Sequence, residues 1–564
     1  MSLKTDMALS SAGRLYPAGS TLKNDTFSNR HFYSIFTPPL TILEAQRRFQ
    51  EAVVYSDDPV AVKTFQSLAG IRAMLSKLTF SGPGKDGVEA HKKQIADLEA
   101  QKGKLEARLS QLSHAFAIQK KIEKADSERV ARVLPENTAL IEFARVEMFN
   151  FKAKGKEKKW LPPHYIAFVL HAGKGDRVEM IDLGDALTID RAISGFKKEI
   201  SKTRDIKGTG ATESSRRIHD LVFVNIKKEL GDVKDVFISP DGNLNLIPFE
   251  VLQGPDGRFL IEDYTFNYLA AGRDVLRFGE INEKGNKALL MGDPDFDMGV
   301  DDKDSSLMRL ALRKNKETES IKRSSDMIGF QFSRLPGTRE EVRAIYGILG
   351  NNQAELYTGK EALEEVLRSM GAPSVLHLAT HGFFLRDIEI EDLSSESSDR
   401  GIAIHSTVAP TAAGKKAKIE NPLLRSGIVL AGANNALRSG DTEECDGIVT
   451  AEKILGLRLR GTDMVVLSAC DTGLGEVKEG EGVYGLRRAF SQTGTRSLVM
   501  SMWSVPDEET KELMVEFYKN IQSAKMNRCQ ALRKAALKEM KIVKERYGTT
   551  NPLFWGAFVF MGEP

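Results

Sequence analysis

Two apolar runs of this sequence end in side chains that are able to react together. Val375-Leu376-His377-Leu378-Ala379-Thr380 leads into His381-Gly382, and Met464-Val465-Val466-Leu467-Ser468-Ala469 leads into Cys470-Asp471. An imidazole beside a thiol suits acyl transfer: the ring favours the thiolate and then returns the proton to the leaving amine. Taken singly, each residue has a plainer role, Cys470 as a small core side chain and His381 as a satisfied structural histidine. Their neighbours point further. Gly382 has no side chain to keep a substrate carbonyl from its amide. The turn Asp471-Thr472-Gly473-Leu474-Gly475 would leave a thiol exposed at a strand tip. The expected arrangement is a dyad of His381 and Cys470, with the backbone amides of Gly382 and Cys470 as oxyanion donors. Loss of one such donor costs on the order of 100-fold to 1,000-fold in rate.

That chemistry needs a scaffold that brings distant residues together. Parallel α/β sheets do so by gathering side chains just beyond the carboxyl ends of their strands. The pattern fits one. Strand-like runs at Thr138–Phe143, Tyr165–Leu170 and Val236–Ser239, with helical periodicity from Ile189 to Leu230, predict a first α/β unit. The dipeptides Asp241-Gly242 and Asp256-Gly257 predict tight hairpin-like connections within Val236–Tyr268. A second unit is expected from Ala288–Gly292, through helices at Arg339–Leu349 and Glu361–Met370 and the His381 and Cys470 strands, to Ser497–Met502 and a last strand at Trp555–Phe560. Strands alternating with helices imply a largely parallel sheet. Two polar insertions, Asp295–Arg334 and Leu385–Asn421, have the length of lids or binding loops, and the second is expected to border a substrate groove.

Ahead of these units the chain reads as helical. Residues 1 to about 60 resemble a loosely built or truncated start to a helical region. Ile95, Leu98, Leu105, Leu109, Leu112 and Phe116 then recur at steps of three and four, predicting a long amphipathic helix that is half of an antiparallel hairpin. No tetratricopeptide period of about 34 residues is visible. The predicted division is a helical region at 1–134, an α/β unit at 135–285 and a second, reactive α/β unit at 286–564.

Composition narrows the function classes. The 80 basic and 78 acidic residues nearly cancel, so no global charge favours nucleic acid. The basic run from Lys152 to Lys159 is expected to be a solvated loop. Three cysteines without C-x-x-C spacing argue against a disulfide framework, and His405 and Cys445 lack ligand spacing, so neither metal nor cofactor is expected. Gly208-Thr209-Gly210 lacks the third glycine of a dinucleotide fingerprint. No apolar run of about 18 residues that could span a bilayer occurs, and no signal-peptide core is visible near the start, so a cytoplasmic location is expected.

Several ordered motifs resemble the CHAT peptidases, a family grouped with caspases and separase. They are His377-Leu378-Ala379-Thr380-His381-Gly382-Phe383-Phe384, the segment from Val465 through Cys470 to Gly475, and Gly480-Glu481-Gly482-Val483-Tyr484-Gly485-Leu486. Leu335 to Glu341, Leu430 to Ala433, Met502 to Asp507 and Asn551 to Phe558 extend the likeness across about 135–564. The resemblance implies a caspase-like sheet flanked by helices, with a degenerate α/β half before the protease unit. It also implies a His381–Cys470 dyad and endopeptidase action on a partner protein. Preference for a basic residue before the scissile bond, common in related peptidases, would need a pocket acid. Asp507 is the first candidate, with Glu481 and Asp471 behind it, although Asp507 would also suit a helix cap. Some CHAT proteins act in bacterial defence, switched on by a regulatory protein or ribonucleoprotein partner. Many carry tetratricopeptide repeats ahead of the protease, and residues 1–134 would then be a remnant of such a region. The alternative is a catalytically silent scaffold serving as a protein-interaction module.

Overall fold

In the computed structural model the described residues are 125–150, 153–154, 157–202, 212–280, 283–299, 330–384, 425–439, 445–469, 476–478 and 482–564, with shorter pieces before residue 125. The leucine-striped segment forms helix α1 (Gly87–Leu112). The second arm expected for a hairpin lies outside the described residues.

A twelve-stranded sheet organises the rest. A two-residue strand, β1 (Tyr16–Pro17), pairs in parallel with β2 (Thr138–Phe149) at one side. The other strands of the first half are β3 (Trp160–His171), β4 (Val178–Asp185), β5 (Asp235–Ser239) and β6 (Thr265–Tyr268). The second half contributes β7 (Ala288–Pro294), β8 (Ala354–Gly359) and β9 (Val375–Ala379). A separate three-stranded sheet, β10 (Gly382–Phe384), β11 (Ser426–Val429) and β12 (Ile448–Thr450), follows β9 directly. The main sheet resumes with β13 (Met464–Ser468) and, after the small hairpin of β14 (Glu476–Lys478) and β15 (Gly482–Tyr484), ends with β16 (Ser497–Ser501) and β17 (Phe558–Gly562).

The order across the sheet is β4-β3-β2-β5-β6-β17-β16-β13-β9-β7-β8. Strands β2, β5, β6 and β17 are parallel, and so are β16, β13, β9, β7 and β8. β17 runs antiparallel to β16, so the two sets point in opposite directions. The two predicted α/β units thus form one sheet, and Met561 opposite Tyr268 is the rung that joins them. The fold is α/β, a large and mostly parallel sheet flanked by helices.

Burial explains why these segments extend. β7, β13 and β16 are buried at every position, as strands covered on both faces must be. Helices α2 (Ala186–Lys202), α3 (Pro336–Leu349), α4 (Asp507–Gln522) and α5 (Arg528–Tyr547) send Ile193, Val342, Phe517 and Ala535 into one apolar cluster that spans both halves. A smaller cluster, with Val130, Leu140, Phe237 and Val275, lies on the first half alone.

Two turn expectations divide. Asp256-Gly257 does close a tight turn, with Gln253 bridging Phe259. Asp241-Gly242 instead opens a 3₁₀ turn over Gly242–Leu246, because β5 and β6 are parallel and no hairpin can join them.

Candidate functional site

The two reactive runs become neighbouring parallel strands. β9 pairs with β13 from Val375 opposite Met464 to Ala379 opposite Ser468. His381 stands two residues past Ala379, and Cys470 follows Ser468 by the same interval in the sequence. Cys470, Asp471, Glu481 and the Leu385–Asn421 insertion lie outside the described residues. The strand ends are fastened by hydroxyls. Thr380 Oγ1 donates to the carbonyl of Val429, and Ser501 Oγ donates to that of Ala469.

His381 is held by a segment that arrives from the insertion after β7. Its Nε2 lies 2.8 Å from the carbonyl oxygen of Ser333. A carbonyl only accepts, so Nε2 carries the hydrogen and Nδ1 keeps the lone pair. The ring lies between Phe296 and Phe332, at centroid distances of 5.4 and 5.6 Å. Burial among these groups holds the imidazole below its usual value, opposed by the bond to Ser333 and by the charge of Asp507.

Ser333 is pinned on both sides. Phe332 exchanges two hydrogen bonds with the Asn434 amide, its N–H to Oδ1 at 2.8 Å and its carbonyl from Nδ2 at 2.9 Å. Arg334 donates through Nε and Nη2 to the Asp293 carboxylate at 2.8 and 2.7 Å, and Arg339 reaches the same carboxylate at 2.8 Å. Asp293 holds a left-handed backbone angle, φ 46°, at the end of β7, a strained conformation over-determined by these partners and by Thr338 Oγ1 on its N–H.

Gly382 begins the edge strand of the small sheet. The Val429 N–H donates to the His381 carbonyl at 3.0 Å, and Gly382 stands opposite Ile428. Antiparallel ladders alternate bonded and non-bonded pairs, so the Gly382 N–H points away from β11 toward the open edge.

Asp507 is the first residue inside α4, with Pro506 at the cap position and no capping side-chain bond, so it is not the N-cap. Its carboxylate lies against the start of α3: a Cβ added to Gly337 would fall 2.7 Å from Asp507 Cβ and 2.8 Å from Oδ2. Only glycine allows so close an approach. Burial raises the Asp507 carboxyl above its ordinary value, repulsion from Glu341 adds to this, and His381 opposes it. Asp507 and His381 therefore feel each other's charge at one end of the sheet.

The other two cysteines are poor nucleophiles. Burial, reinforced by Glu364 and Glu365, pushes the Cys445 thiol up to about 12. Cys529 is buried in α5, its thiol raised well above the ordinary value by burial and lying 3.2 Å from the Phe266 carbonyl oxygen.

Sequence inspection missed the residues that orient His381. Phe296, Phe332, Ser333 and Arg334 come from a polar insertion whose composition predicts only a loop, and Asp293 ends β7 just ahead of it. A cluster beneath the strands was also missed, although three of its members lie in recognised segments: His377, Glu341 and Ser468 form a buried hydrogen-bond chain with Tyr518. No helix among the described residues is long and apolar enough to cross a membrane.

Comparison with known proteins places the sequence. Human tetratricopeptide repeat protein 28 is 24% identical over 388 residues, which is 65% of this chain and 14% of that protein, so the chain spans a small part of its curated relative. Among solved structures, the Saccharomyces cerevisiae separase–securin complex overlaps with a TM-score of 0.37 at 9% identity, over 80% of this chain and 31% of the matched one. The complex of Porphyromonas gingivalis RgpB pro- and mature domains gives 0.32 at 10% identity, over 67% of this chain and 76% of the other. These overlaps are partial, and the family assignment rests on sequence. The CHAT domain family model matches residues 212–563, more than half of the sequence, and the chain belongs to that family.

Proposed function

We propose that this chain is a cysteine endopeptidase that cleaves a specific protein, with Cys470 as nucleophile and His381 as base and acid. The observation that carries the proposal is the register of β9 and β13, in which Ala379 faces Ser468 and each precedes its reactive residue by two positions. In the reaction the Cys470 sulfur bonds to the scissile carbonyl carbon while His381 Nδ1 takes the thiol proton. The amides of Gly382 and Cys470 receive the oxyanion. The carbon–nitrogen bond breaks as His381 returns the proton to the amine, and water then hydrolyses the thioester, restoring the thiol and releasing a carboxylate.

Asp507 is the proposed pocket acid for a basic residue before the scissile bond, with Glu481 and Asp471 as further candidates. Its charge coupling to His381 supports that placement. In this reading residues 286–564 are the catalytic unit, 135–285 a non-catalytic half, and 1–134 a helical regulatory region. A regulatory protein or ribonucleoprotein partner acts as the trigger, and bacterial defence is the setting. The second reading, a silent interaction scaffold, draws its support from the human relative, whose name is that of a tetratricopeptide repeat protein.

The test is labelling of the full chain with a peptidyl acyloxymethyl ketone bearing Arg or Lys next to the electrophile, followed by mapping of the modified cysteine. Modification at Cys470 that disappears in His381→Ala is the expected result. Absence of labelling, both in purified protein and in cell extract where a trigger would be present, would favour the scaffold.

A further inference from the structure

A continuous chain of buried hydrogen bonds links the two strands that lead to His381 and Cys470 with the helices packed on them. Ser468 Oγ donates to Glu341 Oε2 at 3.1 Å, and Glu341 Oε1 lies 3.0 Å from His377 Nε2. His377 Nδ1 lies 3.0 Å from the Tyr518 hydroxyl. A carboxylate only accepts, so Nε2 of His377 carries a hydrogen, and the Tyr518 O–H donates to Nδ1 when the ring is neutral. Every polar atom in the chain is then satisfied around one negative charge. His377 is 0% exposed, Glu341 1% and Tyr518 1%, so water cannot replace any member.

The placement of these residues matters more than their burial. Ser468 is the last residue of β13 and His377 lies two before the end of β9, on the strands that precede Cys470 and His381. Glu341 sits on α3, whose first turn meets Asp507, and Tyr518 sits on α4, which Asp507 begins. Packing alone would be served as well by apolar side chains of similar volume, because a buried charged network adds little net stability. What it adds is direction: both strands and both helices are fixed in register near the carboxyl ends of β9 and β13.

We propose that Glu341 is a positioning residue which, through Ser468 and His377, holds the two strand ends so that Cys470 and His381 meet in reacting geometry. This rests on the peptidase reading above and extends it to residues that touch no substrate. A misplacement of about 1 Å in a reacting pair can cost on the order of 100-fold, so a partly relaxed network should show a smaller but measurable loss.

The experiment measures, for the full chain, the rate of the covalent step and the binding constant of the Arg-ended acyloxymethyl ketone in wild type, Ser468→Ala, Glu341→Gln and Tyr518→Phe. Iodoacetamide alkylation of Cys470 at neutral pH is followed in parallel. Ser468→Ala and Glu341→Gln are expected to slow the covalent step about tenfold with probe binding unchanged, and Tyr518→Phe to slow it less. A merely structural role would move the melting temperature, or both constants together. Ser468→Ala removes only a hydroxyl and keeps the test informative if Glu341→Gln fails to fold. Should the peptide probe react with wild type neither in purified form nor in cell extract while iodoacetamide alkylates Cys470 in a His381-dependent way, the peptidase reading falls, and the same tenfold loss in alkylation still supports positioning. Rates unchanged in Ser468→Ala and Glu341→Gln with both reagents, or a Cys470 indifferent to His381, would overturn it.

Discussion

His381 Nε2 meets the Ser333 carbonyl at 2.8 Å, and that one contact assigns the proton on the ring and leaves Nδ1 as the basic atom. Ser333 keeps its place because Arg334 is clamped to Asp293. Arg334→Ala is expected to slow Cys470 labelling about tenfold. The guanidinium is 37% exposed and Asp293 retains Arg339, so the fold should survive the change. Labelling rate and melting temperature measured together check this, and a loss of stability without a loss of rate would contradict it.

Burial holds the His381 imidazole below its usual value, so its neutral, basic form persists at mildly acid pH. The acid limb of labelling attributed to His381 is expected below the ordinary imidazole value of about 6.5. A pH series from 4.5 to 8 on wild type, with His381→Gln as reference, decides the matter; a limb at or above that value would argue against the geometry of the ring between Phe296 and Phe332.

Asp507 is displaced in the other direction. Because its carboxyl is raised, it takes up a proton at higher pH than an ordinary aspartate and loses its attraction for a basic group sooner as pH falls. Preference for Arg-ended over neutral probes should therefore weaken on acidification at pH values above the usual aspartate range. It should vanish in Asp507→Asn and invert toward acidic ends in Asp507→Lys. A preference that is flat with pH and survives both substitutions would remove Asp507 from the pocket.

The Leu385–Asn421 segment is proposed to border the groove and to need ordering before the site is competent. Its replacement by a short Gly-Ser linker is expected to change both the labelling rate and the effect of any activating extract. Wild-type behaviour in that variant would end the gating idea.

Glu539 makes a prediction about stability. It is 1% exposed in α5, and its Oε1 has no hydrogen-bond partner among the described residues. Burial and repulsion from Glu512 and Glu509, offset by Arg546, raise its carboxyl to about 7. A group whose folded value lies above its unfolded value, here 4.5, binds protons more tightly when folded. Its stabilising contribution is complete below about 4.5 and is lost as pH rises through about 7. Glu539→Gln is expected to gain about 1–3 kcal/mol at pH 8 and little at pH 5, flattening the decline between them. Thermal unfolding at the two pH values measures it, and an equal effect at both would refute the assignment.

How much of this was legible beforehand depended on the kind of signal. β9, β13 and β16 were readable because strands buried on both faces appear as unbroken apolar runs. β4 and β8 were missed because most of their positions are only partly buried, and their mixed residues carry no clean alternation. β10, β11 and β12 are only three or four residues long and are defined by pairing, which a sequence does not display. At the site, His381 and Gly382 announced themselves by type and position. Ser333 acts through its carbonyl, which every residue has, so no residue type could mark it. His377 stood in full view inside a recognised motif, but its meaning depends on Glu341 and Tyr518, which only the fold brings to it.

The position of β17 has a consequence for how the molecule is made. This strand lies between β6 and β16, yet it is the last of the sheet's strands in the chain. During synthesis both inner edges, apolar and lined with unpaired amides, must wait for residues 558–562 to emerge. The joint between the halves is thus a late, non-local event, slow to close and exposed to wrong partners meanwhile. Substitutions in β17 should be felt as a lower yield of folded protein before they are felt in the chemistry at His381.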